Sequence, residues 1–176
     1  MTDAELARRL REHALLEGDF VLRSGKRSSY YLDKYRFETH PELLKELGGR
    51  IAGHARRVAP AATRLAGPEL GAVALAASAS LASGLPFLIV RKEQKEYGTA
   101  NRLEGEFGDG EEVCLVEDVV TSGGAAVEAI RALREAGLTC RTAVCVVDRE
   151  EGGADALARE AVRLVPLFRA ADVLAA

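Results

Sequence analysis

The chain has 176 residues, of which 48% are hydrophobic and 29% charged, with a formal net charge of −3. That length suits one domain with a real core, and the hydrophobic content excludes a disordered chain. The slightly acidic balance gives no general basic field for nucleic acid.

Thr2 and Glu5 have the spacing of a capping box for a first helix, with Leu6, Leu10 and Ala14 on one face and Gly18 as its expected stop. Residues 20–22 and 29–33 read as two short strands joined through Ser24-Gly-Lys-Arg. His40-Pro41 opens a second helix reaching about Val58, although Gly48 and Gly49 weaken its pattern. Residues 63–66 form a short strand ending at Gly67-Pro68. Residues 70–90 carry no charge, and that run is long enough to span a bilayer. It is rich in Ala and Ser and broken by Gly84-Leu-Pro, so it predicts a small-residue helix over 70–83 and a buried strand over 87–90, not a membrane span.

A charged segment, 92–112, comes next. It is followed by a strand over 113–117, a helix over 125–136, a strand over 142–148, a short helix over 154–160 and a strand over 162–167. The start of the chain has neither the basic region nor the apolar run of a secretory leader, which points to a cytoplasmic protein. Cys114, Cys140 and Cys145 are odd in number, lack CxxC spacing and lie in or beside apolar runs, so buried reduced thiols are expected. His13, His40 and His54 have no metal-ligand spacing.

Strands alternating with helices predict an α/β fold: an open parallel sheet flanked by helices. Uniformly apolar runs such as Phe87-Leu-Ile-Val suit strands covered on both faces. Residues 1–176 read as one domain, with about the first 40 forming a small N-terminal cap, or hood, beside the sheet. In such sheets ligands bind beyond the carboxyl ends of the strands. That rule gathers residues 67–71, Arg91-Lys92, 117–125 and Asp148-Arg149 on one rim.

The segment 113–125 is the most informative. An apolar strand climbs into Glu117 and Asp118, then turns through Thr121, Ser122, Gly123 and Gly124 into a helix. Carboxylates suit sugar hydroxyls, and glycine N–H groups at a helix N-terminus suit a phosphate. Two carboxylates at the end of a buried strand are costly without partners.

Val116-Glu-Asp-Val-Val-Thr-Ser-Gly-Gly-Ala resembles the phosphoribosyl-pyrophosphate (PRPP) motif of type I phosphoribosyltransferases. Ser24-Gly-Lys-Arg-Ser-Ser-Tyr-Tyr-Leu-Asp, Val90-Arg-Lys-Glu-Gln-Lys-Glu-Tyr-Gly-Thr and Val147-Asp-Arg-Glu-Glu-Gly-Gly are similar to the orotate phosphoribosyltransferase family in particular. The resemblance implies transfer of a ribosyl 5-phosphate group from PRPP to orotate, giving orotidine 5′-monophosphate and pyrophosphate in pyrimidine synthesis. It implies that Glu117 and Asp118 hold the ribose hydroxyls. Thr121, Ser122, Gly123, Gly124 and Ala125, approached through Val119 and Val120, would cradle the 5-phosphate, and residues 67–71 would form the pyrophosphate loop.

By the same resemblance Arg91, Lys92, Lys95 and Tyr97 belong to a lid over PRPP, with Asp118, Lys92 and Lys95 catalytic. Tyr97 stands where many members of the family have histidine, and a phenol does not titrate near neutral pH. Thr121, Arg149 and Lys26 are implied at orotate, where an arginine fork reads a carboxylate. An ion pair of Arg149 with Asp148, Glu150 or Glu151 is its alternative employment. Tyr30 and Tyr31 could include a ring that covers the base, only one of them facing inward because consecutive strand residues face opposite ways; ordinary strand aromatics are the alternative for either. Mg²⁺ is implied as cofactor, held mainly by PRPP oxygens rather than by protein ligands. A homodimer that shares lid residues between subunits is implied, with neither nucleic acid nor membrane as partner. A PRPP-dependent transferase for another base and a non-catalytic PRPP sensor remain open; Arg149 with the Lys92/Lys95 lid favours orotate.

Overall fold

The computed structural model describes residues 1–21, 25, 27–92 and 102–176. Helix α1 (Asp3–Ala14) begins with the expected capping box: Glu5 N–H donates to Thr2 Oγ1 at 3.2 Å and Thr2 N–H to Glu5 Oε2 at 2.7 Å. It ends four residues before Gly18. The chain turns directly into β1 (Leu15–Val21), which pairs antiparallel with β2 (Arg27–Leu32). Gly18 lies inside that strand. Pairing of Leu15 and Leu16 with Leu32 and Tyr31, and an Asp33 N–H bond to Ala14 O at 2.8 Å, end the helix early. A five-residue helix, α2 (Lys34–Glu38), occupies what the sequence presents as a connection.

Helix α3 (Pro41–Val58) runs unbroken through Gly48 and Gly49. A methyl group on Gly48 would overlap Ser78 Oγ of α4 (Gly71–Ser83), so this glycine lets two helices approach closely. Between them lies β3 (Arg64–Pro68). The uncharged stretch divides as expected into α4 and β4 (Phe87–Val90), and no helix among the described residues is long and apolar enough to cross a membrane. Two residues of the charged segment form a further strand, β5 (Leu103–Glu104).

The second half follows as β6 (Glu112–Val120), α5 (Gly124–Glu135), β7 (Thr139–Asp148), α6 (Gly153–Arg159), β8 (Arg163–Arg169) and a terminal α7 (Ala170–Ala175). The main sheet has six strands in the order β5-β4-β3-β6-β7-β8. All neighbours are parallel except the edge pair β4–β5. Along β6, Cys114 and Val116 join the apolar cluster under α1, α3 and α4, while Val113 and Leu115 join the cluster under α5 and α6. Cys114, Cys140 and Cys145 are buried and unpaired, as expected. Burial pushes the Cys114 thiol up to about 12 and that of Cys140 to about 11, which leaves both inert near neutral pH.

Candidate active site

The carboxyl ends of the parallel strands meet on one rim. Pro68 is level with Val90, and Val120 with Asp148. β6 is longer than the sequence suggests. Its pairing with β7 continues past Glu117 to Val120, so both carboxylates lie within the strand and not beyond it. Asp118 continues the face carrying Cys114 and Val116 and meets Lys34 of α2, with Nζ 2.6 Å from Asp118 Oδ2. Its other oxygen accepts the Val119 N–H. Glu117, Asp118 and Glu38 are 6%, 4% and 3% exposed, so this corner holds three buried acids around one lysine.

The electrostatics follow from that crowding. Burial, then the Asp118 charge, push Glu117 up to about 8, and Glu38 rises to about 8 for the same two reasons. Burial works against the Lys34 ammonium, but attraction to Asp118 and the hydrogen bond between them outweigh it and raise its pKa. Glu117 Oε1 and Glu38 Oε1 are buried without a hydrogen-bond partner. Such oxygens call for donors, and sugar hydroxyls would supply them.

After Val120 the chain turns through Thr121 and Ser122, both exposed, to Gly123. Gly123 sits at φ 81°, a left-handed conformation that glycine adopts without strain, and starts α5 with no side chain capping it. Exposed Gly124 and Ala125 begin the helix, leaving its first N–H groups open to an anion. The turn is braced by Gly153, where a methyl group would overlap Val120 Cγ1 and lie 2.7 Å from Thr121 O.

Loop 67–71 and Arg91-Lys92 are tied together. Glu69 N–H donates to Val90 O at 2.9 Å, and Glu69 Oε1 accepts the Lys92 N–H at 2.6 Å. The Arg91 guanidinium lies between Glu69 (4.0 Å) and Glu104 (3.5 Å). Lys92 is exposed. Lys26, Lys95 and Tyr97 lie outside the described residues.

Arg149 follows β7, and its N–H bonds Val120 O at 2.9 Å. Its side chain is 7% exposed, with Nε 2.9 Å from Glu151 Oε1 but without hydrogen-bond geometry at that nitrogen. The ion pair weighed as its alternative employment is therefore present, with Glu151. The guanidinium carbon is 4.9 Å from the centroid of Tyr30, whereas Tyr31 is 42% exposed and stacks on Phe20. Of the two tyrosines, Tyr30 is the one that packs against Arg149.

Lys34 and Glu38 are not among the residues that the sequence singles out. Their i, i+4 spacing is the available signal, hidden because 34–38 reads as a connection.

The phosphoribosyl transferase domain model matches residues 36–162. The orotate phosphoribosyltransferase of Methanocella arvoryzae is 49% identical, over 98% of this chain and 97% of that protein. The chain belongs to the orotate phosphoribosyltransferase family. The crystal structure of the Aeropyrum pernix orotate phosphoribosyltransferase superposes with a TM-score of 0.84 at 32% identity, covering 99% of this chain and 98% of the other. That of the Mycobacterium tuberculosis enzyme in complex with PRPP gives 0.81 at 28% identity, with 97% and 98% covered. The α/β architecture is thus that of type I phosphoribosyltransferases.

Proposed function

We propose that the protein transfers the ribosyl 5-phosphate group of PRPP to orotate, forming orotidine 5′-monophosphate and pyrophosphate. The observation that carries this reading is the run from buried Glu117 and Asp118 into the uncapped turn at Gly123, with Arg149 hydrogen-bonded through its backbone to Val120. Sugar hydroxyls suit the first part, the 5-phosphate the second and a base carrying a carboxylate the third.

In the reaction the bond from ribose C1 to the diphosphate oxygen breaks, and its electron pair leaves with pyrophosphate. A bond from C1 to the orotate ring nitrogen forms, and the nitrogen's proton passes to water. The chain's own groups orient and neutralise charge. Glu117 and Asp118 fix the ribose, Thr121 to Ala125 anchor the 5-phosphate, Arg91 and Lys92 face the leaving diphosphate, and Arg149 exchanges Glu151 for the orotate carboxylate. The sequence resemblance adds Lys26, Lys95 and Tyr97 to this set.

Among the described residues no three His, Cys, Asp or Glu side chains form a metal cage. The oxygen donors Glu117 and Asp118 at the rim suit a Mg²⁺ that would take most of its ligands from PRPP oxygens and water. When bound it neutralises charge on the leaving group. A homodimer with lid lysines reaching the neighbouring site rests on the resemblance. A cytoplasmic location suits three buried, unpaired thiols.

The test is purified protein with PRPP and Mg²⁺, offered orotate, uracil, adenine or hypoxanthine separately. Orotate absorbance should fall, with the other bases left unused; consumption of uracil or a purine in place of orotate would overturn the reading. In Arg149→Ala the KM for orotate should rise about tenfold or more while that for PRPP stays within about twofold. Equal loss for both substrates would remove Arg149 from the orotate site.

A further inference from the structure

Loop 67–71, Gly-Pro-Glu-Leu-Gly, is the segment that faces a diphosphate on the reading above, yet its one charged side chain is an anion, Glu69. A diphosphate needs cations, so positive charge must be brought to the loop from other elements. Arg91 and Lys92 bring it from the end of β4, tied to the loop through Glu69, and helix α2 adds a third cation from the opposite direction in sequence. Lys34 Nζ would stand 2.8 Å from a methyl group placed on Gly71, and Glu38 Oε1 3.0 Å from it, while Asp118 Oδ2 would overlap it. The bare Cα of Gly71 thus leaves room for three ionisable groups from two distant segments to converge at the start of α4. The Lys34 side chain is 32% exposed and that of Asp118 5%, so the ammonium reaches the rim while its carboxylate partner stays beneath. Tyr35, 45% exposed, holds its ring centroid 5.4 Å from Nζ on the outer side. Glu38, one helical turn along from Lys34, sets a second carboxylate against the same pair.

We propose that Lys34 is a positioning residue of the PRPP site, which pins the Asp118 carboxylate for the ribose and carries positive charge to the cation-free diphosphate loop. The proposal rests on PRPP being the donor substrate. Asp118 cannot turn away from the rim while Oδ2 is held by Lys34 and Oδ1 by the Val119 N–H. Glu38 flanks the pair, its Oε1 buried without a hydrogen-bond partner.

The experiment is steady-state kinetics on Lys34→Met and Lys34→Arg beside the wild type, varying PRPP and orotate separately, with thermal midpoints as the measure of folding. Lys34→Met should raise the KM for PRPP about tenfold or more and leave that for orotate within about twofold. Lys34→Arg, which keeps the charge, should recover part of the loss. If the methionine variant does not fold, Lys34→Gln takes its place with the same expectation. In an Asp118→Asn background the Lys34→Met change should cost less than in the wild type, because the two residues act as a pair. An unchanged KM for PRPP, equal weakening of both substrates, or full additivity with Asp118→Asn would each overturn the proposal. Inactivity of the wild type toward orotate would instead sink the functional reading, so the two failures are distinguishable.

Discussion

Glu38 and Glu117 bind a proton more tightly in the folded chain than in the unfolded one, since burial beside Asp118 moves each from 4.5 to about 8. Their stabilising contribution is therefore complete below about pH 4.5 and is lost as pH climbs through about 8. The thermal midpoint of the substrate-free protein should fall across that window. In Glu38→Gln, a neutral isostere of the protonated acid, the fall should be shallower; an identical slope would mean that Glu38 does not carry the proton. Glu117 and Asp118 are legible in the sequence because they stand at the end of an uninterrupted apolar run. Lys34 and Glu38 are not, because five residues of helix are too short for hydrophobic periodicity to register. The meeting of Lys34 with Asp118 spans 84 positions of chain.

At the scale of elements, glycines separate what pattern shows from what only packing shows. Gly48 and Gly49 look alike in the sequence, yet Gly48 faces Ser78 and Gly49 meets nothing within 4 Å. Gly153 closes against Val120 and Thr121 at the turn proposed to hold the phosphate. Gly153→Ala should cost about 1–3 kcal/mol by overpacking and weaken PRPP binding, because the turn must shift to admit the methyl group. Gly49→Ala, on an exposed helical surface, should instead be neutral or stabilise by about 0.5–1 kcal/mol. Thermal midpoints and PRPP titration of the two variants check this, and equal behaviour would contradict it. The alternation of strands and helices after residue 63 is legible because each element is long enough to show its period. The boundaries of β1 and β6 are not, since cross-strand pairing sets them. β5 and α7 have two and six residues and leave no pattern to read.

For the whole molecule, the proposal that lid lysines cross a two-fold dimer has an arithmetic consequence. Mixing Lys95→Ala with Asp118→Asn subunits places both defects in one site of each mixed dimer and none in the other. Random reassortment should then restore roughly a quarter of wild-type turnover, measured by orotate consumption after co-refolding. No recovery would show that each chain completes its own site.

The backbone bond from Arg149 N–H to Val120 O has a geometric meaning of its own. It fixes Arg149, the proposed reader of the acceptor, one inter-strand spacing, about 4.8 Å, from Val120, which opens the proposed phosphate turn. On the proposed assignment the sheet behaves as a ruler, graduated in strand widths, laid between the sugar and the base. A base whose recognised group lies a different distance from its attacking nitrogen would be out of step with that graduation. The choice of acceptor is then, on that assignment, a matter of distance as well as of side-chain charge.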